Sequence, residues 1–573
     1  MRPHERTRTG LVLLVFAIIF SALEVGSYTR KSATTDEPRH LTDGYTELMI
    51  GDYRLDPEHP PLLRLWAALP LRFMKGITLN TSTLDWEQGQ SIAFAYQFLY
   101  RDNDADHLLY RARFMTVLLG ILLGILVYVW ARELFGFGTA VAVLALYCLE
   151  PNILAHAQLV TNDFGVTLFF FGAVYFLWRS ARKFSIGNVL GLAACVALAH
   201  VSKHSAVGLW PILATLLICD GRGSQPLRSR LFRGAAILTL LIATTLLGIW
   251  SIYRFRYSPT PLIHGHMRLF TPTAADNEQA PLTMAVVGWI SDHHLLPNAY
   301  VIGLGVRRKT MIGRMAFLAG RISDSGWWYY FPVAFLIKTP LSVLVLFGLT
   351  LCWTGRKWNG LPQARLYLLT PPVIFMAVAM MTGFDIGLRH VLPIYPFVLV
   401  ACGNAISELR KRVRPLLQLA FAAVCLVELV PICPNYLAFF NGLIGGSRNG
   451  YKYLADSNLD WGQDLKELKR WMDTDGIDRI NLSYFGMADP AYYGIRFLSL
   501  PGTADYPPQP THYSEIPGYV AVSVQNLQVI ERDFYAPLLP QKPVAVIGYS
   551  IRVYWVDHRW WTNAPPSDST VDK

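Results

Sequence analysis

Eleven apolar windows recur along the first three quarters of the chain, near residues 10–27, 112–131, 139–157, 163–178, 186–202, 205–219, 233–252, 331–353, 366–383, 391–407 and 416–433. About 20 apolar residues span a bilayer core as a helix, and a spanning backbone must satisfy its own polar groups. The pattern therefore predicts a polytopic α-helical membrane protein and excludes a string of soluble domains. The 53% hydrophobic composition agrees. Arg2, Arg6 and Arg8 precede the first window and no small-residue cleavage pattern follows it, so it reads as a retained helix rather than a signal peptide.

The formal charge of +11 has a definite address. It sits in short loops: Arg179/Arg182/Lys183, Arg222/Arg228/Arg230/Arg233, Arg356/Lys357 and Arg410/Lys411/Arg412/Arg414. Residues 435–573, by contrast, hold 12 Lys+Arg against 15 Asp+Glu. Placing the basic loops inside gives a cytoplasmic N-terminus in an inner (plasma) membrane. Residues 28–111, the loop 253–330 and the C-terminus then lie on the periplasmic or extracellular side. No nucleic-acid partner is needed to explain the charge. The seven cysteines lie within or beside apolar windows, without metal-site spacing, and read as small buried hydrophobes.

Against this apolar background one stretch stands out. Thr35-Asp-Glu-Pro-Arg-His40 and Gly51-Asp-Tyr-Arg-Leu-Asp-Pro-Glu-His-Pro-Pro61 crowd acids and cations just after the first window. The run Leu62–Leu71 is too short to span and is bracketed by Arg64 and Arg72, so it predicts a helix lying in the interface with Trp66 at headgroup level. Two charged segments held at a membrane surface suit an active site for a lipid-borne substrate; a merely solvated loop is the alternative. Asp102-Asn-Asp104 has an Asp-x-Asp form but suits a turn equally well. Asp163 opens the fourth window, where an acid also suits a helix N-terminus. Lys203, His204, Lys338, Arg389 and His390 all sit at external ends of windows, facing either a membrane-level cavity or the headgroups. His264, His266, His293 and His294 in the loop 253–330 could hold a metal, but no acid accompanies them at helical spacing. No metal site is expected.

After residue 434 the pattern changes. Asn458-Leu-Asp-Trp-Gly-Gln-Asp464 leads into Leu465, Leu468, Trp471 and Met472 at helical spacing. Strand-like runs follow at Ile480–Phe485, Tyr519–Val524, Val544–Ile547 and Ile551–Val556. The expected organisation is a membrane domain over 1–434, a periplasmic α/β domain over 435–565 and a disordered tail over 566–573.

These motifs resemble the lipid-carrier-dependent glycosyltransferases of the GT-C class, family 39. That group holds the protein O-mannosyltransferases and the bacterial aminoarabinose transferases that modify lipid A. The resemblance rests on Asp36-Glu37, Gly51-Asp52, Glu58-His59-Pro60-Pro61-Leu62 and Asp163, and the block Asp456–Asp464 is similar to a bacterial subgroup of that family. One departure is His59, where the aminoarabinose transferases carry Lys. The resemblance implies an inverting transfer of a sugar from a polyprenyl-phosphate donor to a hydroxyl of a protein, lipid or glycan, on the external face and without a cofactor.

That chemistry needs a base for the acceptor proton and cations for the departing phosphate. Asp36 is the expected base, with Asp163 and Glu37 beside it. Arg39, His59, Lys203 and Arg389 are expected at the phosphate. Asp52, Glu58, His204, Lys338 and His390 are expected against substrate. A transporter is the first rival, but the repeats it calls for are not seen. A non-catalytic envelope scaffold is the second.

Overall fold

The computed structural model describes residues 3–220, 227–261, 281–311, 313–353, 362–412, 426–503 and 517–558. Six described helices are long and apolar enough to cross a membrane: His4–Tyr28, Ala105–Phe135, Asn162–Arg182, Gly234–Ile252, Gln363–Met380 and Leu388–Lys411. Two further candidates are broken. Phe137–Cys148 and Pro151–Ala157 meet at 63°, and Tyr330–Lys338 and Leu341–Trp353 at 115°. The windows at 186–202 and 205–219 form shorter apolar helices, and most of the window at 416–433 lies outside the described residues.

The breaks have local causes. Pro151 starts one second half and Pro340 immediately precedes the other, and proline ends the helix before it. Each new start is then capped by a carboxylate: Glu150 accepts the Ile153 N–H at 2.7 Å, and Glu428 accepts that of Leu341 at 2.7 Å. The run 331–353 is therefore a sharply bent pair rather than the single straight span its composition suggests.

Outside the helical body, the Glu37–Met49 helix lies against the short helix Leu62–Ala68. Gly44 permits that approach, because a Cβ there would fall 2.3 Å from the Arg64 carbonyl oxygen. The Leu62–Ala68 helix is short, as expected, but it is not simply immersed in headgroups. Trp66 Nε1 donates to Met115 O at 2.8 Å, and Arg64, which looked like a flanking cation, is buried.

The C-terminal part carries the Leu465–Thr474 helix and a mixed five-stranded sheet. With a small hairpin formed by β1 (Ala316–Leu318) and β2 (Arg321–Ser323), the strands are β3 (Arg479–Ser483), β4 (Arg496–Ser499), β5 (Gly518–Ser523), β6 (Ala545–Ile547) and β7 (Ile551–Val556). The order is β4-β3-β5-β7-β6, with β3 parallel to both β4 and β5 and the other pairs antiparallel. Leu465, Leu468 and Met472 pack in one cluster with Leu41, Tyr45 and Leu109. Burying each such side chain contributes about 1.5–3 kcal/mol, which docks the C-terminal part onto the Glu37–Met49 helix. The segment 436–461 packs into the core of the helical body through Tyr436, Phe440, Leu459 and Trp461.

Candidate active site

Asp36 occupies the N-cap position of the Glu37–Met49 helix but makes no capping bond with its side chain. Its carboxylate turns instead to Arg389, with Nη1 2.9 Å from Oδ2. Burial pushes the Asp36 carboxyl up, but the charge and hydrogen bond of Arg389 outweigh it and hold it below the usual carboxylate range. Its side chain is 33% exposed, against 3% for Asp163. Asp36 is thus an ionised, accessible carboxylate.

Four further contacts lead away from it. Arg389 Nη1 lies 3.5 Å from Asp163 Oδ2. Asp163 Oδ1 is hydrogen-bonded to Lys203 Nζ, and Lys203 Nζ lies 3.4 Å from His390 Nδ1. Beneath Arg389, the guanidinium carbon is 4.1 Å from the centre of the Trp461 ring. Five segments remote in sequence therefore meet here, and Asp163 is more than a helix-end charge because it joins two cations.

Lys203 and His390 also line a cavity of about 370 Å³. Its polar wall includes Glu58, His59, His204 and Arg307; its apolar wall includes Phe331, Phe375, Val378 and Leu304. Among the described residues, neither ring nitrogen of His204 has a hydrogen-bond partner, nor does Nε2 of His390. A cavity whose lining combines the cations Lys203 and Arg307 with apolar side chains suits an amphiphile with an anionic head. Burial pushes the His59 imidazole down despite its bond to Asp56 at 3.1 Å, so His59 is neutral at pH 7.

Several expected site residues sit elsewhere. Glu37 is fully buried and holds the fold together. It pairs with Arg113 at 2.6 Å and accepts the N–H groups of Thr34 at 2.8 Å and Val160 at 3.0 Å. Arg113 in turn donates to the carbonyls of Tyr28, Lys31 and Ser32. With its oxygens saturated and no exposure, Glu37 has no lone pair to offer a substrate. Asp52 is equally enclosed, accepting from Arg54 and from Thr260 Oγ1 at 2.9 Å. Lys338 does not reach the cavity either; it is buried and donates to Leu437 O at 2.9 Å and to Asn458 O. Arg39 stands at the polar edge but is already neutralised by Asp56 at 2.7 Å, with Asp43 and Glu58 each at 3.8 Å.

The Asp-x-Asp run forms a turn. Asp102 accepts from Gln97, and Asp104 caps the Ala105–Phe135 helix through the His107 N–H at 3.1 Å. His264 and His266 lie outside the described residues, while His293 bonds the Trp289 carbonyl and His294 lies against the Tyr257 ring at a tilt of 42°. Ligand-capable atoms of His40, Asp56 and His59 do lie within 4.8 Å of one another. However, the guanidiniums of Arg39 and Arg64 already hold the Asp56 carboxylate at 2.7 and 2.8 Å, and two such charges oppose a divalent cation.

Two functional candidates escaped the sequence reading. Arg307 projects into the cavity, 3.1 Å from Glu58 and 4.5 Å over the Phe384 ring. Its signal was present: Arg307-Arg308-Lys309 is a basic run in a loop assigned to the external side. Trp461 was legible only as part of a motif, without a partner.

Residues 106–250 match the family model described as dolichyl-phosphate-mannose-protein mannosyltransferase. That segment contains Asp163, Lys203 and His204, and ends before Arg307 and Arg389. No curated protein matches the chain. Among solved structures, ArnT from Cupriavidus metallidurans bound to undecaprenyl phosphate is similar at 13% identity and a TM-score of 0.46, covering 95% of this chain and 98% of that one. The Pmt1-Pmt2 protein O-mannosyltransferase complex of S. cerevisiae bound to the sugar donor gives 16% identity and a TM-score of 0.32, covering 43% of this chain and 34% of that one. The oligosaccharyltransferase AglB from Archaeoglobus fulgidus, in complex with an inhibitory peptide and a dolichol-phosphate, gives 13% and 0.44, over 74% of this chain and 55% of that one. The chain thus spans 34% of the mannosyltransferase chain and 55% of the oligosaccharyltransferase chain.

Proposed function

We propose that this chain is a GT-C-class glycosyltransferase that moves a sugar from a polyprenyl-phosphate donor to an acceptor hydroxyl on the external face of the membrane, a reading supported by the match to the protein mannosyltransferase model over residues 106–250. The observation that carries this reading is the accessible Asp36 carboxylate, linked through Arg389, Asp163 and Lys203 to a cavity lined by cations and apolar side chains. The basic loops support a cytoplasmic N-terminus and an external C-terminus.

In this mechanism Arg307 and Lys203 receive the donor phosphate, with His204 and His390 donating hydrogen bonds. The apolar wall takes the first isoprene units. Arg389 stabilises the charge that develops on the departing phosphate. Asp36 accepts the acceptor's proton as the new bond forms, since a carboxylate cannot deprotonate a free alcohol beforehand. Asp163 holds Lys203 and Arg389 in register, and an in-line displacement inverts the anomeric centre without a covalent enzyme intermediate. The acceptor is a protein, lipid or glycan hydroxyl.

The test is direct. Purified protein in liposomes should release free polyprenyl phosphate from a lipid-linked sugar only when an acceptor is present, read by mass spectrometry. If no donor in a panel of polyprenyl-phosphate sugars is consumed, the reading fails.

A further inference from the structure

One segment grips both halves of the Asp36–Arg389 pair while lying outside the cavity. The Trp461 carbonyl accepts the N–H of Thr35 at 2.8 Å and its hydroxyl at 3.2 Å, and the Gln463 carbonyl accepts the Ser32 N–H at 2.9 Å. Those bonds fix the approach to Asp36. On the other side, Asn458 Oδ1 accepts the Leu388 N–H at 2.9 Å and Ser457 Oγ donates to Ile386 O at 3.1 Å, which fixes the turn that carries Arg389. The Trp461 ring, 2% exposed, completes the grip by lying under the guanidinium.

The segment is itself braced. Gln463 accepts the Trp461 N–H at 2.8 Å and donates to Leu459 O at 3.0 Å. Asp460 accepts the N–H groups of Gly462 at 3.3 Å and Gln525 at 2.9 Å. Gly462 has φ +86°, and a Cβ there would fall 2.8 Å from Phe485 O.

We infer that Trp461 is a positioning residue for glycosyl transfer: its ring face sets the plane of Arg389 so that one nitrogen serves both Asp36 and Asp163, while its carbonyl sets the reach of Asp36. This rests on the function proposed above. The C-terminal segment is then part of the active-site frame rather than an appended module. A cation over a desolvated indole gains from the ring quadrupole only while the geometry is kept, so leucine removes the orientation and phenylalanine keeps much of it.

The test is a double-mutant cycle on the full-length protein in liposomes with a polyprenyl-phosphate sugar. Trp461→Leu should lower kcat roughly tenfold with the donor KM changed less than about twofold, and Trp461→Phe should stay within about threefold of wild type. In an Arg389→Ala background, Trp461→Leu should have no further effect. An equal loss in both backgrounds, or an unchanged kcat, overturns the inference. Should the leucine variant lack a cooperative thermal transition, the same cycle with Trp461→Phe and Trp461→Tyr decides: a small loss that disappears without Arg389 supports positioning, and one that persists refutes it. A wild type that transfers no sugar counts against the proposed function instead. The Trp461–Arg389 coupling is then read from melting temperatures, where additive losses overturn it.

Discussion

Arg389 Nη1 lies 2.9 Å from Asp36 Oδ2, although 353 residues separate the two along the chain. The pair brings the N-terminus of the Glu37–Met49 helix against the first turn of the Leu388–Lys411 span. Arg389 has a second carboxylate in reach, Asp163 at 3.5 Å. It can thus release Asp36 to the acceptor without being left unpaired. Arg389→Ala should lower turnover roughly 10²–10³-fold, as expected for a donor aimed at developing charge. Arg389→Lys should recover only part, because an ammonium lacks the planar guanidinium that lies over the Trp461 ring. Steady-state transfer in liposomes checks this, and near-wild-type rates for both variants would remove Arg389 from the mechanism.

Glu37 adjoins Asp36 in sequence, yet its substitution should act on folding. Glu37→Gln leaves Arg113 buried beside a neutral group, and breaking such a pair costs about 3–5 kcal/mol. The melting temperature in detergent should fall by many degrees, and any loss of transfer should track loss of folded protein. A Glu37→Gln protein that melts like wild type but fails to turn over would return Glu37 to the catalytic set.

For the donor phosphate, Arg307 should matter more than Arg39. Both guanidiniums are paired, but among the described residues Arg39 faces three carboxylates whereas Arg307 faces Glu58 alone and lines the cavity. Arg307→Ala should raise the donor KM about tenfold or more, in keeping with a lost charged hydrogen bond of about 1.5–3 kcal/mol. Arg39→Ala should change it little. Titrating the donor against each variant separates them; the reverse order would argue that the phosphate sits at the Arg39 edge.

The segment beneath Arg389 predicts a pH dependence. Burial pushes the Asp460 carboxyl up to about 8, and its backbone donors offset only part of that rise. Unfolded, the group titrates near 4, so between about 4 and about 8 the folded state holds a proton that the unfolded chain has released. Its contribution is fully present below about pH 4 and is lost as pH rises through about 8. Wild-type melting temperature should therefore fall more between about pH 5 and pH 8.5 than that of Asp460→Asn, which cannot ionise. Parallel pH profiles for the two proteins would contradict this.

Much of the membrane architecture was legible because a bilayer imposes length and polarity on every span. The windows at 112–131, 163–178 and 391–407 are such cases, falling within the helices Ala105–Phe135, Asn162–Arg182 and Leu388–Lys411. What failed was local. The window 331–353 looks continuous by composition, but Pro340 turns it through 115°. The candidate site was readable as a set of charges near one membrane face. Sequence could not sort them, because Asp36 and Glu37 are chemically alike and adjacent. Only Arg113, 76 residues on, makes Glu37 structural. The contact between Trp461 and Arg389 was likewise invisible, since it depends on how the C-terminal segment packs back into the helical body.

The central claim is that Asp36 takes the proton in the transfer step. Asp36→Asn keeps the shape and removes the acceptor. Donor binding and the melting temperature should stay close to wild type, while turnover in a reconstituted transfer assay should fall roughly 10²–10⁴-fold, the range of a positioned general base. An Asp36→Asn protein that retains most of its turnover in that assay would contradict the account.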